Sequence, residues 1–360
     1  MTPHHVIERV RIPASVTDAD AADYLDAIEV LNAAEAADLG TRDTALDPAP
    51  NLAWFHRDWE PRELYAIRVD GRFAAALERS WEADSPATET MWPAVRPEFR
   101  RRGLGSALAE HGIALATDAG RTAVQTWTSA PAPGPAADGR YARALESPTG
   151  FGSIDADHPS VRFAVRHGFA LGQIERISRL PLPVDALGDA LGDAPADDGY
   201  DIVHWVGATP PEHRAGKAAL LMAIQRDAPA GELDAGFTAW DPDRVAEVDA
   251  ANLAASDAQR PTVLAVHRAT GAAAGFSAML VPRALERPAW QGETIVDPAH
   301  RGHGLGMRLK RANLAFLREI APGHPSVITY NAEENRFMLD VNEKVGFVPI
   351  GYEGGWRREL

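Results

Sequence analysis

Over residues 306–320 apolar side chains recur at Met307, Leu309, Ala312, Leu314, Phe316 and Leu317, with polar ones between them. That spacing predicts an amphipathic helix packed on a sheet. Ahead of it, PTVLAVHR, AAAGFSAMLVP and WQGETIVDP, within 261–298, read as three successive strands. Further upstream, 200–207 predicts a strand and 211–226 a helix, and 241–255 a second helix with Asp241 as its cap. Downstream, PSVITYN reads as a strand and 335–345 as a short helix. The last segment, GFVPIGYEGGWRREL, reads as a hairpin turning at Gly354-Gly355. Residues 17–180 follow the same order, with a helix over 17–37, strands within 62–95, a helix over 104–119 and a strand over 121–128.

The shared order has a counterpart in the residues themselves. VRPEFRRRGLGSAL (95–108) and VDPAHRGHGLGMRL (296–309) align without gaps, and VRFAVRHGF (161–169) echoes LDVNEKVGF (339–347). Gly304 follows Gly103 by 201 residues and Gly346 follows Gly168 by 178, so the first copy holds 23 extra residues between these landmarks. The Pro- and Gly-rich stretch near 129–150 accounts for them as a loop insertion. A duplicated α/β unit is expected: one domain over 1–182, a linker over 183–199 rich in Pro, Gly and Asp, and a second domain over 200–360.

Composition narrows the chemistry. The chain has 360 residues, 45% of them apolar and 24% charged, as in an ordinary soluble protein. A net charge of -15 argues against a nucleic-acid or anionic-membrane partner. With no Cys, disulfides, thiolate metal sites and cysteine nucleophiles are excluded. No secretory signal and no long apolar run is seen, so the expected location is the cytoplasm, with no membrane span.

Against this acidic background the segment Arg301-Gly302-His303-Gly304-Leu305-Gly306 reverses the sign, as does Arg100-Arg101-Arg102-Gly103-Leu104-Gly105 after Val95. Glycines between a strand and a helix let a ligand approach the backbone, and the helix N-terminus offers free N–H donors suited to a pyrophosphate. A P-loop would need Gly-Lys-Ser/Thr, which neither copy has, and a dinucleotide fingerprint would open the first strand–helix unit rather than follow three strands. No HExxH or GxSxG is present, and no metal site is expected.

On these residues the chain resembles the GCN5-related N-acetyltransferase (GNAT) superfamily in tandem form. Its [Arg/Gln]-x-x-Gly-x-[Gly/Ala] motif matches Arg100-x-x-Gly103-x-Gly105 and Arg301-x-x-Gly304-x-Gly306. The family's later helix, Asn-x-x-Ala-x-x-Leu-Tyr-x-x-x-Gly-Phe, corresponds to Asn335, Met338, Val341, Asn342, Gly346 and Phe347. Asn342 therefore stands where the family often has a general-acid Tyr. The layout is also similar to that of mycothiol synthase.

The resemblance implies two domains, each a twisted, mostly antiparallel sheet flanked by helices. It implies acetyl-CoA as cosubstrate, its pyrophosphate on 301–306. Pantetheine would run along Thr294, Ile295 and Val296 between splayed strands, with Asn331 and Asn335 nearby. An N-acetyltransferase acting on a small-molecule or peptide amine is the expected activity, with the second half as the catalytic one. A non-catalytic acyl-CoA sensor and a mycothiol-biosynthesis-type acetyltransferase are the competing readings. Without Cys the transfer is expected to be direct, requiring a base, an oxyanion donor and help for the departing thiolate. Glu293, with Glu89 in the first copy, is the candidate base; Asn342 and Tyr330 are candidates for assisting the thiolate. Trp54, Phe55 and Trp59 are a candidate acceptor wall, and Asp227, Glu232 and Asp234 could attract a cationic amine.

Overall fold

A computed structural model describes residues 5–134, 141–184 and 199–360. The first repeat runs β1 (Ile7–Arg9), α1 (Ala22–Leu39), α2 (Pro48–Phe55), β2 (Arg62–Val69), β3 (Arg72–Ser80), β4 (Thr88–Val95), α3 (Leu104–Asp118) and β5 (Ala123–Pro131). A small hairpin, β6 (Ala144–Glu146) and β7 (Ser153–Asp155), then precedes α4 (Pro159–Arg166) and β8 (Ala170–Pro181). Without the hairpin the second repeat has the same order: β9 (Tyr200–Val206), α5 (Pro211–Asp227), α6 (Pro242–Ala255), β10 (Pro261–His267), β11 (Ala273–Leu280), β12 (Ala289–Val296), α7 (Leu305–Ile320), β13 (Ser326–Ala332), α8 (Arg336–Val345) and β14 (Val348–Glu359). The predicted caps are in place, since the Asp241 carboxylate accepts from the Arg244 N–H at 2.7 Å and Asn335 Oδ1 from the Met338 N–H at 3.3 Å.

Twelve strands form one open mixed sheet in the order β1-β2-β3-β4-β5-β14-β8-β13-β12-β11-β10-β9. The last strand of each repeat is exchanged. β14 pairs with β5 from Gly351↔Pro131 to Glu359↔Ala123, and β8 pairs with β13 from Ser326↔Pro181 to Ala332↔Glu175. The exchanged strands meet each other at the centre, antiparallel, with Glu353 opposite Glu175. These two residues are 178 apart, the offset of the repeat itself, so they mark a pseudo-twofold axis through the sheet.

Two expectations are corrected here. A boundary at 182 does not divide the sheet, because each half is completed by a strand of the other; most of the linker, 185–198, lies outside the described residues, as does 135–140 of the insertion. The 347–360 segment is not a hairpin but carries one strand, β14. Gly354 and Gly355 serve close packing rather than a turn: a Cβ on Gly355 would lie 2.5 Å from Leu233 and 2.9 Å from the Trp127 ring.

Alternating side chains bury both faces of the sheet. On one face Tyr24 and Ile28 of α1 pack with Leu64, Phe73 and Ala76, and Leu220 and Ala223 of α5 with Leu264, Phe276 and Ile295. On the other, Leu104 and Leu108 of α3 and Leu305 and Leu309 of α7 cover the opposite sides of the same strands. The α1/α2 and α5/α6 pairs share a face and meet where α2 packs on α6.

Candidate active site

Each repeat leaves its fourth strand through a short 3-10 turn, Pro97–Phe99 or Pro298–His300, and enters the next helix at a glycine cap. Gly103 has φ +84° and Gly304 φ +70°, a left-handed backbone open to glycine at no steric cost. A Cβ on Gly302 or Gly304 would meet nothing within 4 Å, so the space in front of that loop is open. The first-turn N–H groups of α3 and α7, with Leu104, Gly105, Leu305 and Gly306, have no partner inside their helices. Backbone donors, open space and the positive end of a helix suit the pyrophosphate of a CoA thioester.

The basic side chains of the motif do something else. Arg100 donates to the Val95 carbonyl at 3.2 Å, to the Ala34 carbonyl at 3.0 Å and to Asp38 at 2.7 Å. Arg301 repeats the pattern, donating to the Val296 carbonyl at 3.3 Å and pairing with Asp227. Both guanidinium groups tie the loop to the C-terminal end of α1 or α5, which corrects the expectation that they face the phosphates. Asp227 is thereby used as well. Arg101, at φ +65°, Arg102 and His303 remain exposed on the loop. Lys310, by contrast, is 2% exposed, with Nζ 5.7 Å from the Phe347 ring centre.

Between the parallel strands lies a splayed gap. β12 and β13 pair only at Ala289↔Val327 and Trp290↔Ile328, and β4 and β5 only from Thr88↔Ala123 to Thr90↔Gln125. Beyond those pairs Thr294, Ile295 and Val296 are unpaired on the β13 side. Here the repeats differ. Ser277 opposes Thr294 and Met279 opposes Gln291, so Gly292 and Glu293 together face Ala278 in a β-bulge. The matching β3–β4 ladder runs unbroken from Ala75↔Val95 to Ser80↔Thr90, with Pro93 where the second repeat has Thr294. The loop helices differ too: a Cβ on Gly105 would lie 3.3 Å from Phe163, whereas the neighbour of Gly306 is the exposed Phe337 at 3.8 Å.

Glu293 is exposed on the bulge with no ion pair among the described residues. Glu89 is 1% exposed and held by Arg79 and Arg121, so it is a structural anion rather than a free base. Asn342 is buried and donates to Asn331 Oδ1 at 2.6 Å. Asn335 is a helix cap, its Oδ1 committed to a backbone N–H, which replaces the cofactor role implied for it. Tyr330 points to the α1 face, stacked on Trp290 at 5.7 Å and 5°. Burial, then the charges of Glu353, Glu35 and Glu175, drive its phenol pKa upward, so it holds its proton rather than releasing it to a thiolate.

The expected acceptor wall is an inter-repeat contact instead. Trp54 lies under Arg57 and Arg62, and Trp59 under Arg57 and Arg244 of α6. Residues 230–236 lie on the first repeat, with the Asp234 backbone bonded to Gln125 and the Glu232 N–H to Gly172. Reciprocally, 43–47 reach the second repeat, where Asp47 pairs with Arg287, while Asp43 pairs with Arg179 of the exchanged strand β8. Sequence reading misses a group that this exchange assembles: Glu35, Glu175 and Glu353, with Thr44 and Tyr330 beside them. No short-range pattern joins residues so far apart along the chain.

The sequence model of the Acetyltransferase (GNAT) family matches residues 28–146, within the first repeat. No curated protein matches the chain. Among solved structures, a tandem GNAT protein from the clavulanic acid biosynthesis pathway is 26% identical, with a TM-score of 0.72 over 98% of each chain. A GCN5-related N-acetyltransferase from Sphaerobacter thermophilus shares the fold at 17% identity and a TM-score of 0.59, over 93% of this chain and 91% of that one. Two copies of the glycine loop and two splayed strand pairs accord with these likenesses: residues 28–146 match the GNAT acetyltransferase family, and the chain along its whole length shares the fold of a tandem GNAT protein.

Proposed function

We propose that the protein is an acetyl-CoA-dependent N-acetyltransferase whose second repeat carries the reaction, passing acetyl directly from the thioester to a primary amine. The bulge in β12 carries this reading, because only one repeat has it. A bulge turns a strand N–H out of the ladder, here beside the open gap, where it can stabilise the oxyanion of a tetrahedral intermediate. The first repeat has no bulge there, and at the position of the next residue, Thr294, it has Pro93, which has no N–H to give. In this reading the first repeat keeps its glycine loop but serves as frame.

The amine nitrogen attacks the thioester carbonyl carbon, the C–S bond breaks, and CoA leaves as a thiolate that is then protonated. The attacking amine must first lose its ammonium proton to a base. Glu293 is the residue proposed for this, being exposed on the bulge at the gap and unpaired among the described residues. Release of CoA thiol against a panel of amines tests the assignment of the repeats. Gly304→Glu should abolish turnover and Gly103→Glu should leave most of it; loss in Gly103→Glu alone would place the reaction in the first repeat.

A further inference from the structure

We propose that Lys310 is the proton donor to the departing thiolate: its ammonium meets the CoA sulfur on the α7 side of the β12–β13 gap. This deepens the acetyltransferase reading and rests on it. A donor is wanting there, because Asn342 has no proton to give near neutral pH and Tyr330 lies on the opposite face of the sheet. Lys310 stands in a stripe of α7 that is otherwise apolar. Met307, Leu314 and Leu317 share that side of the helix and pack with Ala289, Val327 and Phe347. Ala289 and Val327 are the first pair of β12 and β13, so this side of α7 faces the end where the gap closes. Lys310 is buried there, its Nζ 5.7 Å from the centre of the Phe347 ring. One turn on, Asn313 donates to the carbonyl of Ser277, which opposes Thr294 beside the bulge. Lys310 therefore lies within a helical turn of the strand residues proposed to hold the thioester.

No anion answers this cation. Among the described residues Lys310 forms no ion pair, and burial is the one influence on its ammonium, bringing it down to about 7. Of the charged groups on the elements around it, Asp340, Glu343 and Lys344 of α8 and Glu293 of β12 are exposed, and Arg311 of α7 is half-buried. Arg308 of α7 donates to the Tyr200 carbonyl. A second observation points to a ligand in the same layer. Asn313 and Asn342, 0% and 1% exposed, sit on the packed helices α7 and α8, and the Oδ1 of each has no donor. An unpaired ammonium and two unpaired amide oxygens are short of a partner carrying both N–H groups and a proton-accepting atom. The arm of a CoA thioester has both, with amide N–H groups along its length and sulfur at its end.

The amine nitrogen adds to the thioester carbonyl carbon, and its surplus proton leaves to solvent through Glu293. As the tetrahedral intermediate collapses, the C–S bond breaks and its electron pair goes to sulfur. Lys310 Nζ gives a proton to that sulfur, so CoA departs as a thiol and Lys310 is left as a neutral amine, which takes a proton back from solvent. An alkyl thiol ionises near about 8.5 and an ordinary lysine near about 10.4. Only a lysine brought below the thiol passes the proton downhill, and burial without a counter-ion does that here.

Thiolate absorbance of CoA bound to the full chain, followed against pH, tests this without any acceptor. With the Lys310 ammonium beside it, the thiol should ionise about tenfold more readily than in Lys310→Met. In acetyl transfer, Lys310→Met should lower kcat about 100-fold and keep the KM for acetyl-CoA. The wild-type kcat should fall as pH rises past about 7, and the variant should lack that fall. Lys310→Gln repeats both measurements if Lys310→Met folds poorly. Equal thiol ionisation in the wild type and the variants overturns the proposal, as does an undiminished kcat. If the wild type transfers acetyl to no amine, the acetyltransferase reading falls, while the thiol titration still decides whether Lys310 meets the sulfur.

Discussion

Glu175 and Glu353, counterparts in the repeat, face each other across the central strand pair, and among the described residues neither forms an ion pair with a Lys or Arg. Burial holds Glu175 up at about 7; burial and then the Glu35 and Glu175 charges hold Glu353 well above its ordinary value. In the unfolded chain both titrate near about 4.3. Between about pH 4.5 and 7 the folded state therefore keeps protons that the unfolded state gives up, and stability falls as pH rises through that window. Glu175→Gln/Glu353→Gln should gain about 1–3 kcal/mol at pH 8 and nothing at pH 4.5. Thermal unfolding at both pH values measures this; equal shifts at the two would show ordinary carboxyls.

Lys310 gives the opposite sign. Burial alone brings its ammonium pKa down to about 7, against about 10.4 in an unfolded chain. Its cost to stability is full below pH 7 and fades as pH rises from about 7 to 10.4. Lys310→Met, close in volume, should raise the unfolding temperature at pH 6, with the gain shrinking toward pH 10. A gain that does not change with pH would mean that Lys310 is charged and solvated.

The two glutamates singled out as bases should separate cleanly. Glu89→Gln breaks a buried pair with Arg79 and Arg121 and should cost about 3–5 kcal/mol, with turnover retained by the folded fraction. Glu293→Gln, exposed, should leave stability alone and lower kcat/KM by about 100-fold. Denaturant unfolding beside steady-state kinetics distinguishes them, and full activity in Glu293→Gln would remove it as the base.

Gly304 combines strain with open space. Gly304→Ala places a Cβ that meets nothing within 4 Å, yet forces φ +70° on an L-residue, a cost of about 1–2 kcal/mol. Gly304→Glu adds to the same strain a negative charge where the phosphates are proposed to sit. Alanine should therefore keep CoA binding and glutamate lose it; equal loss in both would assign the effect to the backbone.

Much of the frame was legible in the sequence because it is local. The 3.6-residue period of 306–320, the caps at Asp241 and Asn335 and the doubled glycine loop each depend on neighbours within a few positions. The strand exchange is not local: Gly354-Gly355 carries a turn signal, yet its reason is the crowding of Leu233 and Trp127 from elsewhere in the chain. Likewise the roles of Arg100 and Arg301 depend on Asp38 and Asp227, 62 and 74 residues away. The grouping of Glu35, Glu175 and Glu353 exists only once both repeats have closed on each other.

The exchanged strands also set an order of events in the making of the protein. While residues 1–200 emerge from the ribosome, the β5 edge has no partner, because the strand that covers it is 348–359. The first repeat must wait with that hydrogen-bonding edge bare until nearly the whole chain is synthesised, a window for pairing with the wrong neighbour. Cutting the gene at the repeat boundary would make that window permanent in both fragments, whereas co-expressing the two pieces would let each lend the other its missing strand.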